Sequence, residues 1–229
     1  MRVTLAVPAL NEEERIERCL AAVRAMRVPR ETRLSVVLID DGSVDRTVQL
    51  AAPYVDDVIV SDTGNSYLAR NYAAERTDDP VIIFLDADCV PSSDLFVWSV
   101  HELVHGAVAG TARKMPLDPR PIDRAIWSLY DRVDRLHEGL CTSPYTFFAS
   151  YSYFDRSVFI GSGGFRASEG VSADWNLGRR LRETGRIAYT HQEHILFDVR
   201  RYRSVGYLRY WWRTRTNTHH DYPPGSELT

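Results

Sequence analysis

Only three cysteines, Cys19, Cys89 and Cys141, occur in the chain. They are odd in number and far apart, which fits neither a disulfide framework nor zinc-ligand spacing, and a reduced, cytoplasmic setting is expected. Lysine is scarcer still. Lys114 is the only one, so a phosphate-loop lysine and a Schiff-base lysine both lack an obvious carrier. Nearly all of the 28 basic residues are therefore arginine, whose planar fork suits phosphates and carboxylates. Neither sign of charge dominates: the net charge is −3 and the pI about 6.2, which gives no general attraction to nucleic acid. Long apolar runs are missing too. The opening Arg2-Val3-Thr4-Leu5-Ala6-Val7-Pro8 is too short for a signal peptide, and no stretch is long enough to span a bilayer. With 44% hydrophobic content, no internal repeat and no low-complexity linker, 229 residues suit one globular domain.

What is present is an alternation. Val3 to Val7 reads as a buried strand stopped by Pro8. Asn11 with Glu14 three positions later reads as a helix cap, followed by Ile16, Cys19, Leu20 and Val23 at helical spacing, so the pattern predicts a helix over 12–26. Leu34 to Ile39 gives a second strand, then the turn Asp40-Asp41-Gly42-Ser43 and a short helical stretch over 44–52. Val58 to Val60 is a third strand, and Tyr67 to Arg76 a helix with Arg70 and Asn71 near its start. Strands alternating with helices argue for a parallel, doubly wound sheet over residues 1 to about 110. The second half is less regular. It offers a strand near Ala107 to Ala109, a helix over 122–140, an aromatic run over Phe147 to Phe154, and a loop at Gly161-Ser162-Gly163-Gly164-Phe165. A helix over 174–184, a strand over 187–189 and a basic, aromatic segment from Tyr207 to Arg213 complete it.

The most informative stretch is Val81-Ile82-Ile83-Phe84-Leu85 followed by Asp86-Ala87-Asp88. Five large apolar residues in a row suit a strand buried on both faces, and ligands of open α/β sheets bind beyond such strand ends. Two carboxylates at alternate positions repel one another unless a cation neutralises them, and Mg²⁺ or Mn²⁺ prefers oxygen ligands. A metal-bridged diphosphate site is the simplest chemistry, with a plain polar turn as the alternative.

Four segments, Pro8-Ala9-Leu10-Asn11-Glu12-Glu13, Asp40-Asp41-Gly42-Ser43, Ala69-Arg70-Asn71 and Asp86-Ala87-Asp88, follow strands or open helices in one consistent order. Together they resemble glycosyltransferase family 2, with Gly163-Gly164-Phe165 and Asp174-Trp175-Asn176-Leu177 resembling its Gly-Gly-Phe and Glu-Asp region. The resemblance covers about residues 1 to 190. It implies an α/β fold of GT-A type, a Rossmann-like, mostly parallel central sheet flanked by helices. Residues 1–110 would bind the nucleotide sugar, 111–190 would hold the acceptor and catalytic half, and 191–229 a C-terminal helix and tail.

The resemblance also implies roles. Asp88 would bind the metal, with Asp86 sharing it or reaching the ribose and Ala87 between them. Asp41 would accept a hydrogen bond from the nucleotide base, and Pro8, Ala9, Asn11 and Glu12 would form the first-strand loop that cradles base and ribose. Arg70 would contact base or diphosphate, and Gly163 and Gly164 would allow close backbone approach to sugar or acceptor. Asp174 would be the base, with Glu169 and Asp155 in reserve, although Ala173 and Asn176 replace acidic residues of the family pattern. A C-terminal histidine completing the metal shell would be His191, His194, His219 or His220, the last two favoured. The cofactors implied are Mn²⁺ or Mg²⁺, with a UDP- or GDP-linked sugar as donor and a small-molecule, glycan or lipid-linked acceptor. The expected reaction is inverting transfer of a single sugar, since the Gln-x-x-Arg-Trp motif of processive synthases is missing around Trp211. Peripheral membrane contact through Tyr207 to Arg213 is a second possibility beside helix packing. A dehydrogenase would need a glycine-rich first turn where Pro8-Ala9-Leu10-Asn11 stands. A binding protein without transferase activity is the alternative from another class.

Overall fold

The computed structural model describes residues 1–139, 150–207 and 209. One sheet of eight strands organises them. In chain order these are β1 (Arg2–Ala9), β2 (Arg33–Asp40), β3 (Asp57–Val60), β4 (Val81–Leu85), β5 (Cys89–Pro91), β6 (Ala107–Pro116), β7 (Tyr151–Asp155) and β8 (Arg186–Phe197). The spatial order is β3-β2-β1-β4-β7-β6-β8-β5. Helices α1 (Ile16–Arg24), α2 (Thr47–Ala51), α3 (Ser66–Arg76), α4 (Leu95–Val104), α5 (Pro121–Gly139), α6 (Arg156–Gly161), α7 (Ala173–Arg182) and α8 (Arg200–Val205) connect or cover them.

The first four strands by sequence position behave as the alternation predicts: β1 pairs in parallel with β2 and β4, and β2 with β3. Their apolar residues divide between the two faces as the period of two requires. Leu5, Ile83 and Tyr153 pack with Leu20 of α1 and Phe96 of α4. On the other face Phe84 and Phe154 meet Phe159, Phe165 and Leu177. The rings of Phe84, Phe154, Phe159 and Phe165 lie 4.9–6.4 Å apart. Each such buried ring contributes about 1.5–3 kcal/mol relative to exposure.

Beyond β4 the parallel rule stops. The aromatic run over 147–154 supplies β7, which lies antiparallel to both β4 and β6. Strand β8 is longer than the expected 187–189, because its register against β6 jumps from Ala112↔Thr190 to Arg113↔His194, looping out the polar residues 191–193 that interrupt the apolar pattern. Strand β5 and helix α4 were not expected. The α4 sequence Leu95-Phe96-Val97-Trp98-Ser99-Val100 is apolar almost all round and gives no face to read. Position 110 falls inside β6 and position 190 inside β8.

The first helix also differs. It begins at Ile16, not near Glu12, and no side chain caps it. Asn11 has φ 53°, and its Oδ1 accepts from Val44 N at 2.9 Å instead of capping the helix. The segment 11–15 is held as a loop by its neighbours, since Glu12 N donates to Thr47 Oγ1 (2.8 Å) and Glu13 N to Asp45 Oδ2 (3.1 Å).

Strand spacing imposes a curl. Four strand intervals separate β4 from β5, about 19 Å in a flat sheet, yet only Asp86, Ala87 and Asp88 join them, a reach of about 14 Å at full extension. The sheet must bend back on itself, and the Asp86–Asp88 turn closes the bend.

Candidate active site

The turn that closes the curl carries the two carboxylates. Asp86 N donates to Ser150 O (3.0 Å), Cys89 N to Asp86 O (3.0 Å), and Asp198 N to Asp88 O (3.2 Å), so backbone bonds fix the turn from three sides. Ligand atoms of Asp86, Asp88 and Cys89 lie within 4.8 Å of one another. Arg70 reaches Asp86 from α3. It is 3% exposed, its guanidinium pairs with the Asp86 carboxylate and donates to Ser66 O (2.9 Å), and it stands 5.7 Å and 6.0 Å from the Tyr67 and Phe165 ring centres. The fork that resemblance directed at base or diphosphate is therefore engaged by a protein carboxylate.

The two aspartates are pushed apart electrically. Burial alone would raise Asp86, but Arg70 foremost, with Lys114 and the Ser150 hydroxyl, holds it below the usual carboxylate range. Asp88 moves up, because burial and the charge of Asp86 both oppose its ionisation. A hard divalent cation meets this demand, since it neutralises the second carboxylate and takes oxygen ligands. Cys89 does not suit such an ion: its thiol is buried, and burial with the adjoining aspartates pushes it well up, so it stays protonated.

Loops leave the neighbouring parallel strands at the same end of the sheet as this turn. Pro8 and Ala9 end β1 beside Ile39 and Asp40 of β2. Asp41 Oδ1 accepts from Ser61 Oγ (2.5 Å), Thr63 N (2.9 Å) and Thr63 Oγ1 (3.0 Å). Its Oδ2 is buried with no hydrogen-bond partner among the described residues, an acceptor suited to an N–H of a base. Glu12 is 5% exposed; burial raises its pKa, and Arg200 Nη2 at 2.6 Å from Oε1 opposes that rise.

The Gly-Gly-Phe segment packs on α3. Asn71 Nδ2 donates to Phe165 O (2.7 Å) while Phe165 N donates to Asn71 Oδ1 (2.9 Å). Gly164 has φ 57°, and a Cβ there would stand 2.5 Å from Asn71 Oδ1. The close approach that Gly164 permits is thus to Asn71, while at Gly163, with φ 83°, a Cβ would meet Arg166 alone among the described residues. Asp174 lies in the first turn of α7. The reserve carboxylates have structural partners: Glu169 pairs with Arg180 (3.0 Å), and Asp155 caps α6 through Val158 N (3.1 Å).

His219 and His220 lie outside the described residues, as do Cys141, the stretch from Tyr145 to Ala149, and Trp211. Neither His191 nor His194 joins the cluster of Asp86, Asp88 and Cys89, and His191 faces Asp131 at 3.8 Å.

Several residues at the site were not assigned to it from the sequence. Lys114, on β6, donates to Ser150 Oγ (2.6 Å) and stands 4.2 Å from the Phe197 ring centre. Helix α8 brings Arg200 and Arg201, the latter close enough to lower the pKa of both aspartates. Two further contacts secure this helix: Arg15 Nε to Asp198 Oδ2 (2.9 Å), and the buried Asp123, which accepts from Arg120 N (2.8 Å), Arg203 Nε (3.2 Å) and Tyr207 Oη (2.5 Å). All these pairings but the one from Arg120 are long-range in sequence, and no local pattern announces them.

A sheet of this order, with paired aspartates at the end of β4, has the GT-A fold. A mannosyltransferase from Pyrobaculum calidifontis, solved with GDP-mannose and Mn²⁺, matches at TM-score 0.70 and 20% identity over 99% of this chain and 67% of that one. Glucosyl-3-phosphoglycerate synthase from Mycobacterium tuberculosis, solved with Mn²⁺, UDP and glucosyl-3-phosphoglycerate, matches at TM-score 0.63 and 17% identity over 94% of this chain and 78% of that one. The chain belongs to glycosyl transferase family 2, whose pattern matches residues 4–166. Among curated relatives, the glycosyltransferase AglE of Haloferax volcanii is 33% identical over 95 residues, covering 39% of this chain and 31% of its own length. The chain spans about a third of that relative. No helix among its described residues is long and apolar enough to cross a membrane.

Proposed function

We propose that this enzyme moves one sugar from a UDP- or GDP-linked donor to an acceptor oxygen with inversion, using Mn²⁺ or Mg²⁺ held by Asp88 and Asp86. The observation that carries this reading is the pair of half-buried carboxylates at the end of β4, whose ligand atoms lie within 4.8 Å of one another and of which Asp86 is paired with Arg70. When bound, the cation supplies positive charge to the departing diphosphate. Arg70 fixes the Asp86 carboxylate. Asp41 offers its unpaired oxygen to the base, and Pro8, Ala9, Asn11 and Glu12 line the ribose side. The acceptor oxygen bonds to the anomeric carbon as the carbon–diphosphate bond breaks, its electron pair leaving with the diphosphate. The acceptor proton passes to Asp174. Relatives solved with GDP-mannose or UDP and Mn²⁺ support the donor class and the ion.

A thermal-shift series with UDP- and GDP-sugars, with and without Mn²⁺, tests this. Donor at about ten times its Kd adds about 1.4 kcal/mol, a rise of about 3 to 5 °C for a domain of this size. The rise is expected only with Mn²⁺ and is lost in Asp88→Asn. Binding without diphosphate release, or transfer, from labelled donor would favour a sugar-nucleotide-binding protein instead.

A further inference from the structure

Helix α4 carries two histidines one turn apart at its C-terminal end, His101 within the last turn and His105 as the residue that closes it. Positions i and i+4 share one helix face, where Cβ atoms stand about 5–6 Å apart. Here the ring centres are 4.1 Å apart with 30° between the planes, so the two imidazoles lean toward each other. Both residues are exposed, and His101 keeps 61% of its side-chain surface.

Their hydrogen bonds fix which nitrogen of each ring is left over. His105 Nδ1 lies 2.7 Å from His101 O, a carbonyl that can only accept, so Nδ1 carries the ring proton. His101 Nδ1 faces Glu102 Oε1 at 3.4 Å. Arg186 donates to the other oxygen of that carboxylate at 2.8 Å and is foremost in holding its pKa below the ordinary value. Glu102 is therefore ionised and also only accepts, which puts the His101 proton on Nδ1 as well. Each Nε2 keeps its lone pair and has no partner among the described residues. A histidine held through its other ring nitrogen by a carbonyl or a carboxylate is the arrangement that orients imidazoles on a metal. The charge of Arg186 is answered by Glu102, and the carbonyl end of a helix favours an added cation.

We infer that His101 Nε2 and His105 Nε2 chelate a divalent transition ion of the Ni²⁺, Cu²⁺ or Zn²⁺ class, with water in its remaining positions. Imidazole nitrogen suits these ions, whereas Mg²⁺ seeks oxygen, so the pair differs in chemistry from the aspartate turn. It is also remote from it. Arg186, which ties the end of α4 to the sheet, pairs with Ala107 at the start of β6, while Phe197, the partner of Cys89, pairs with Pro116 at its end. The ten residues of β6 put about 30 Å between these ends.

The test titrates Ni²⁺ into the full, untagged chain in excess Mg²⁺ at about pH 7.5, where free imidazole is neutral, and follows the heat. A saturable event is expected well below millimolar Ni²⁺. His101→Gln and His105→Gln should each weaken it at least roughly ten-fold, since even the outer-shell partner of a ligand is worth that much. Both side chains are exposed, so neither substitution should disturb the fold. The event should persist in the double variant His219→Gln, His220→Gln and in Asp88→Asn. Heat only at millimolar Ni²⁺, an adventitious ion only, overturns the inference. So does an event that survives either substitution on α4. Loss in the double variant would assign the ion to His219 and His220, and loss in Asp88→Asn would assign it to the aspartate turn; either result overturns the inference.

Discussion

Asp123 offers a stability prediction that can be worked through in numbers. Its carboxylate is fully buried, yet burial is outweighed by donors from Arg203, Tyr207 and Arg120 N, which push its pKa down to about 2 from an ordinary 3.8. A folded pKa below the unfolded one means that the ionised group stabilises the fold above pH 3.8. That contribution is lost as pH falls through the folded value near 2. At about 1.36 kcal/mol per unit, the shift corresponds to about 2 kcal/mol at neutral pH. Asp123→Asn keeps the shape and removes the charge, so urea unfolding at pH 7 should show a variant less stable by about 2 kcal/mol. The gap should hold at about pH 5 and narrow between about pH 4 and 3. A gap under about 0.5 kcal/mol at pH 7, or one that does not narrow in acid, would refute the account. Because Asp123 anchors Arg203 and Tyr207, the same variant should also loosen α8, read as faster amide exchange at Arg200–Val205.

Other substitutions test the site piece by piece. Arg70→Met leaves a half-buried carboxylate without its arginine and should cost about 1 to 3 kcal/mol in unfolding while weakening Mn²⁺-dependent donor binding; a stability change without a binding change would remove its positioning role. Gly164→Ala forces a Cβ toward Asn71 at φ 57°, and a loss of about 1 to 3 kcal/mol is expected by thermal unfolding, with Asn71→Ala relieving part of it. Asp174→Asn should keep the donor-induced thermal shift and lose transfer; unchanged turnover would end its nomination as base.

The first half of the chain was legible because its signals are local. Five apolar residues before Asp86, a turn after Ile39 and the helix carrying Arg70 each declare themselves within a few residues, and the parallel pairing of β1, β2, β3 and β4 follows from their alternation with helices. The second half depends on register. Whether 151–155 lies parallel or antiparallel to β4 is decided by which edge is vacant when the chain returns, not by its own aromatic residues. The helix cap read at Asn11 failed for a similar reason, since its side-chain oxygen met Val44 of the next loop before it could meet its own helix. Lys114 stood out as the only lysine but lay in a stretch without pattern, and only strand pairing shows what it faces.

The short link between β4 and β5 works as the clasp of a hoop. Pulling the far margin of the sheet outward would tug directly on the three residues that carry the proposed cation ligands, so the spacing of Asp86 and Asp88 is set by the arc of the whole curled sheet. Adding a single residue to the clasp would slacken the hoop and move the ligands apart, which couples the geometry of the smallest feature in the molecule to that of its largest.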